Sequence, residues 1–236
     1  MRRLNSSRSS SRRELVWSIR TDRSPRLLPW WAVRPRSIEA SLLAGSELYR
    51  EVVLHRMAAA RESVWISTAN VKAMFIERPG GAFAPVLDLF SELAGRGVEL
   101  RLLHAELPSR PFRAAFDQRR RLVRGGLALK ICPRVHFKCV LVDGAWVYLG
   151  SANLTGAGLG AKHEDSRNFE LGMVTEDFGV IDRVTALYQS VWRGDECVRC
   201  RLYDSCPDPI GPKMGRPRGD GGPIVLGRAR RLSRAR

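Results

Sequence analysis

Apolar and polar positions follow two rhythms along the middle of this chain. Over residues 47–61, Tyr49, Val53, Met57 and Ala60 recur at helical spacing and fall near one face. Ser63–Thr68 (SVWIST) then reads as a strand. Residues 84–96 read as a helix that stops at Gly97, a suitable C-terminal glycine. Residues 98–104 form the next strand, and 111–124 a basic helix closed by Gly125-Gly126. Strands follow at 127–132, 136–142, 146–149 and 169–174, and a long helix at 177–192. Asp143-Gly144 is a favourable tight-turn pair between two of those strands. Strands alternating with helices predict an α/β layer structure, a mixed β-sheet flanked by helices.

Length and charge narrow the picture. A chain of 236 residues allows one domain with a proper core, plus tails. A body of about 170 residues would bury roughly 70% of its unfolded surface. The formal charge is +16, and nearly all the excess lies at the two ends. Residues 1–37 hold ten Arg against Glu14 and Asp22, a balance of +8. Residues 211–236 hold seven Arg and Lys213 against Asp220, a balance of +7. Neither end has an apolar face able to offset the entropy of ordering, so both read as disordered. They could hold nucleic acid or an anionic membrane surface by counterion release, or be solvated tails. Trp17, Trp30 and Trp31 are unusual for a disordered arm and could dock on the body. No secretory or membrane-spanning apolar run is evident, so a cytoplasmic location is the expectation.

The candidate chemistry sits in one stretch of 35 residues. It opens with His136-Phe-Lys138, reaches Asp143 and Gly150-Ser151-Ala-Asn153, and closes with Asn168-Phe-Glu170. Such a set suits displacement at a phosphodiester without a catalytic metal. A neutral imidazole can attack phosphorus and later leave. A lysine and amide donors can hold phosphoryl oxygens as charge shifts. A carboxylate can fix an imidazole tautomer. Strand alternation would put His136 and Lys138 on one face, with Phe137, Cys139 and Leu141 on the other. Asp143 would brace its turn, and Gly150 would let the backbone approach a phosphate.

The segment resembles the HxKxxxxDxxxxxxGSxN motif of the phospholipase D superfamily, with its NxE element downstream. His136, Lys138, Asp143, Gly150, Ser151, Asn153, Asn168 and Glu170 occupy every defining position. The resemblance implies a phospholipase D-like fold over roughly residues 38–194, with one catalytic domain per chain. It also implies attack by His136 through a phosphohistidine, without a catalytic cofactor. Lys138 and Asn153 would hold the phosphate with Ser151 beside them, Glu170 would orient an imidazole, and Asn168 would support that element.

Phosphohistidine chemistry needs a nucleophile and an acid for the leaving oxygen. Only one motif is present, and His55, His104 and His163 lie in no second HxK pattern. The resemblance to compact single-motif bacterial endonucleases implies a homodimer in which two chains share one site. Nucleic acid is the favoured substrate. Basic residues are mostly arginine, 35 Arg against 5 Lys, and arginine grips phosphate in a bidentate fork. Arg113, Arg120 and Arg124 would share one face of the basic helix, either tracking a phosphate backbone or merely solvated. Two alternatives remain: phospholipase D or phosphatidyl-transfer activity on phospholipids, and a DNA-binding component of a phage-defence complex.

After the last helix, residues 195–210 carry Cys197, Cys200 and Cys206 as C-x2-C-x5-C-P. In a reducing compartment, close cysteines point to metal rather than disulfide. Zinc takes four ligands, and this cluster gives three. His163 or the other subunit could complete the set, an iron–sulfur cluster also fits, and free thiols in a loop are the alternative. Cys132 and Cys139 fall within apolar strands and read as small apolar fillers.

Overall fold

The computed structural model describes residues 36–212. The chain divides into two units, Met1–Ser37 and Ile38–Arg236, and every element below belongs to the second. The expectations for the basic ends fall almost wholly outside the described residues.

Seven strands build one mixed sheet: β1 (Ser41–Ala44), β2 (Ser63–Thr68), β5 (Glu99–His104), β6 (Ala128–Ile131), β7 (Lys138–Val142), β8 (Trp146–Gly150) and β9 (Leu171–Thr175). Their order is β1-β9-β8-β7-β2-β5-β6. β2, β5 and β6 run parallel, and the remaining neighbours pair antiparallel. A short hairpin, β3 (Phe75–Glu77) with β4 (Phe83–Pro85), stands apart from the sheet. The sequence reading missed β1, β3 and β4. They are three or four residues long, too short to show a period.

Two cores follow from strand alternation. On one face, Val64, Ile66, Leu100, Leu102, Val140, Val142 and Tyr148 pack under three helical segments. These are α1 (Ser46–Leu48, widening into Tyr49–Met57), α2 (Val86–Gly95) and α3 (Arg110–Asp117). The helical face expected from Tyr49, Val53, Met57 and Ala60 is buried here. On the other face, Leu103, Cys139, Leu141 and Val147 pack against Ile181 and Tyr188 of α4 (Phe178–Arg193). Asp177 caps α4 by accepting from Val180 N at 2.9 Å, and left-handed Gly194 ends it. Phe137 joins Cys139 and Leu141 on this face, as alternation requires.

The β7–β8 hairpin turns on Asp143 (φ 53°) and Gly144 (φ 62°), the pair of positive φ angles that matches strand twist. Asp143 reaches from this turn to the start of β2. Its carboxylate accepts from the backbone N–H groups of Arg61 (3.0 Å), Glu62 (2.8 Å) and Ser63 (2.9 Å). Burial alone would raise its pKa, but the three donors outweigh it and hold the carboxyl below the usual aspartate range. Its stabilising effect is therefore full above the ordinary aspartate pKa and fades as pH falls through the lower folded-state value.

Asp143→Asn tolerates the left-handed backbone but turns an amide toward three donors. It should lower unfolding stability by about 1–3 kcal/mol at neutral pH. Denaturant titrations should show the gap to wild type closing under strong acid. An equal gap at both pH values would refute the charged brace.

Candidate active site

The C-terminal ends of β2, β5, β6 and β8 and the first residues of β7 and β9 form one rim of the sheet. In α/β sheets, ligands bind beyond such strand ends. β7 is buried on both faces, and Lys138, its first residue, is 9% exposed. The Lys138 ammonium donates to His136 O at 2.7 Å and lies 3.5 Å from both imidazole nitrogens. His136 itself is exposed.

The strand begins two residues later than the pattern implied, so alternation does not place His136. Pairing of β7 with β2 ends at Ser67↔Cys139, and the Ser67 hydroxyl donates to Phe137 O at 3.0 Å. Residues 132–137 thus cross the rim as a loop. Cys132 N donates to His104 O at 2.8 Å, and Val135 is buried in the α4-side core.

Lys138 is in register with Gly150, and Gly150 with Gly172. Neighbouring strands lie about 4.8 Å apart, so the three positions span roughly 10 Å of rim. Gly150 has a packing reason of its own. A Cβ there would collide with the Tyr148 hydroxyl and Leu171 O, and one at Gly172 with the Tyr148 ring. Both glycines make room for Tyr148. Burial pushes the Tyr148 phenol up to about 12, and its oxygen accepts from Ala152 N at 3.4 Å.

Two hydrogen-bonded groups complete the rim. Ser151 Oγ donates to one Glu170 oxygen, and Asn168 Nδ2 donates to the other at 3.0 Å. Glu170 therefore holds Ser151 and Asn168, and no bond among the described residues joins it to His136. Asn153 Oδ1 accepts from Ala69 N (3.1 Å) and Asn70 N (3.2 Å), with Thr68 Oγ1 at 3.1 Å. Two backbone donors at that atom require it to be the carbonyl oxygen, leaving the NH2 group for a ligand. Thr68 also accepts from Leu154 N at 3.0 Å, which ties the Ser151–Asn153 turn to the end of β2. Sequence reasoning missed Thr68 and Tyr148. A polar end on the apolar stretch SVWIST was the available signal for Thr68.

The remaining candidates do not converge here. Asp143 lies at the opposite rim, a strand length of roughly 17 Å away. The continuous basic helix is not formed. α3 ends at Asp117, and the chain resumes helical geometry only near Arg120. Arg119 causes the break, bonding Asp88 Oδ1 at 2.8 Å and capping Ala115 O. The wide turn Leu122–Gly126 then packs on the C-terminal end of α2, with Gly126 against Ala94. Arg120 and Arg124 thereby sit toward the far rim and share no face with Arg113, which bonds Pro108 O at 3.0 Å.

No other histidine stands in for a second motif. His104 is buried, its Nδ1–H donates to Glu106 O at 2.8 Å, and burial lowers its pKa. His55 pairs with Glu51 at 3.1 Å and His163 with Asp165 at 3.2 Å.

Comparison with known proteins follows the same lines. The family model described as cardiolipin synthase, PLD-like domain, matches residues 53–192 and spans every residue of the rim site. No curated protein matches the chain. Among solved structures, the chain is similar to Nuc of Salmonella typhimurium, a phospholipase D family member (TM-score 0.47, 18% identity, 73% of this chain and 100% of that one). It is also similar to NucT of Helicobacter pylori (TM-score 0.48, 16% identity, 73% and 99%). Phosphatidylserine synthase of Haemophilus influenzae Rd KW20 is more distant (TM-score 0.41, 15% identity, 61% and 36%). With the family model covering more than half of its length, the chain belongs to the phospholipase D-like family.

Proposed function

We propose that this chain is a phosphodiesterase that cuts nucleic acid through a phosphohistidine, with no metal in the chemical step. The observation that carries the reading is the exposed His136 imidazole with the Lys138 ammonium 3.5 Å from both ring nitrogens. A neutral His136 attacks phosphorus, the P–N bond forms, and the bond to the leaving oxygen breaks. Lys138 and the free NH2 of Asn153 hold the phosphoryl oxygens as negative charge builds on them. The leaving oxygen takes its proton from a second imidazole. Water then attacks phosphorus, gives a proton to that imidazole, and the P–N bond breaks.

One chain offers one suitable imidazole, so the second comes from another copy, and two rims share one site. The two His136 side chains must then differ in protonation when substrate is bound. Glu170, held by Ser151 and Asn168, is the carboxylate we assign to orient an imidazole. Phe169, wholly exposed between Asn168 and Glu170, offers a flat face on which a base can stack. With 35 Arg in the chain, this supports nucleic acid over lipid.

Purified protein in EDTA, offered single- and double-stranded DNA, RNA and phosphatidylcholine/cardiolipin vesicles, should cleave nucleic acid. His136→Ala should lose turnover by roughly 10³-fold or more while its thermal unfolding stays unchanged. Lipid turnover alone would overturn the substrate, and full activity in the variant would overturn the nucleophile.

Mixing wild type with His136→Ala tests the shared site separately. If each site needs both copies, activity after subunit exchange should fall as the square of the wild-type fraction. A linear fall would show that each chain works alone.

A further inference from the structure

The cysteine segment has a fourth member that its spacing does not reveal. α4 runs from the far rim back to the catalytic rim and ends at Gly194, which packs on Ile210. The segment that follows lies against the end of β6. Lys130 Nζ donates to Trp192 O at 2.5 Å, and Ile131 N donates to Asp208 Oδ2 at 3.3 Å. Cys132, directly after β6, is therefore carried to the segment. It lines one cavity together with Cys197, Cys200 and Cys206. All four are free thiols and all are half-buried. Cys139, by contrast, is buried in the α4-side core as the apolar filler expected. Cys132 packs at the edge of that same core, but it is only half-buried and also lines the cavity with the other three. The exposed His163 does not line this cavity.

Three tight turns set the thiols around that space. Cys200 N donates to Cys197 O (3.0 Å), Tyr203 N to Cys200 O (3.2 Å), and Cys206 N to Tyr203 O (3.2 Å). A single zinc ion with bonds of about 2.3 Å would draw four sulfurs to about 3.8 Å from one another. Among the described residues, no three His, Cys, Asp or Glu side chains are gathered that closely around one point. The four thiols instead stand apart around one shared cavity. Four thiolates spread around a larger body is how cysteines hold a cubane of iron and sulfide, and Cys206-Pro207 repeats the Cys-Pro close of such ligand runs. Lys130 and Arg134 line the same cavity and offset the negative charge of a thiolate-ligated cluster.

We propose that Cys132, Cys197, Cys200 and Cys206 ligate one [4Fe–4S] cluster that clamps the C-terminal segment onto the loop presenting His136. Cys132 is only four residues before His136, on the same loop. The cluster fixes the start of that loop, as Ser67 fixes its end. It takes no part in phosphoryl transfer and is independent of the substrate assignment.

Anaerobically purified full-length protein should be brown, with broad visible charge-transfer absorption and about four iron and four acid-labile sulfide per chain. Cys132→Ser should lose the iron and lower the melting temperature, whereas Cys139→Ala should keep the iron. Should Cys132→Ser fail to fold, thiol labelling of the wild type decides. Cys132, Cys197, Cys200 and Cys206 should resist alkylation in iron-loaded protein and react once the cluster is stripped. Labelling of Cys132 in iron-loaded protein would overturn its role. One zinc per chain would overturn the cluster, and metal-free protein or disulfides would overturn the site.

Discussion

The rim depends on one strand. β7 lies between β2 and β8 and is buried on both faces, so its five residues have no freedom of register. A one-residue slip would exchange Val140 and Val142, under α1 and α2, with Cys139 and Leu141, under α4. Both faces stay apolar in such a slip, so its cost is mispacking in two cores at once, about 1–3 kcal/mol for each misfitted side chain. The registered strand delivers Lys138 to the rim with its aliphatic stem covered and its ammonium beside His136. Asp143 locks the other end of the same strand to the start of β2. Lys138 and the Asp143 brace thus mark the two ends of one rigid element.

Much of this was legible from pattern. The other long elements, the Asp143-Gly144 turn and the apolar face of Phe137, Cys139 and Leu141 follow from local chemistry and period, and the structure shows them within a few residues. The misses have physical reasons. His136 was read into a strand because HFKCVLV continues its alternation, yet pairing stops where β2 stops. A basic run with helical spacing suggested one arginine face, but Arg119 turns inward to Asp88 and ends the helix. Thr68 and Tyr148 could not be found from local pattern. Thr68 acts on Asn153 across 85 residues of sequence, and Tyr148 is recognised only by the two glycines that make space for it.

The motif side chains at the rim are held by backbone groups and by partners within the motif. Asn153 gives its oxygen to the backbone of Ala69 and Asn70, and Glu170 spends both oxygens on Ser151 and Asn168. These bonds fix rotamers before substrate arrives, which is the condition for electrostatic stabilisation without reorganisation. His136 is the exception. Its loop is held through Ser67 at the strand side and through Cys132 at the other.

That asymmetry explains why a C-terminal extension would matter to a rim it does not form. Of the six residues in that loop only Val135 is buried, so backbone bonds at its two ends decide where the His136 imidazole stands to within about an ångström. Displacements of that size are enough to lower the rate of an in-line attack severely. Joining Cys132 to three cysteines beyond α4, as proposed, would tie the loop to the C-terminal end of that helix. Such a restraint would act on His136, the motif residue whose position strand pairing leaves open.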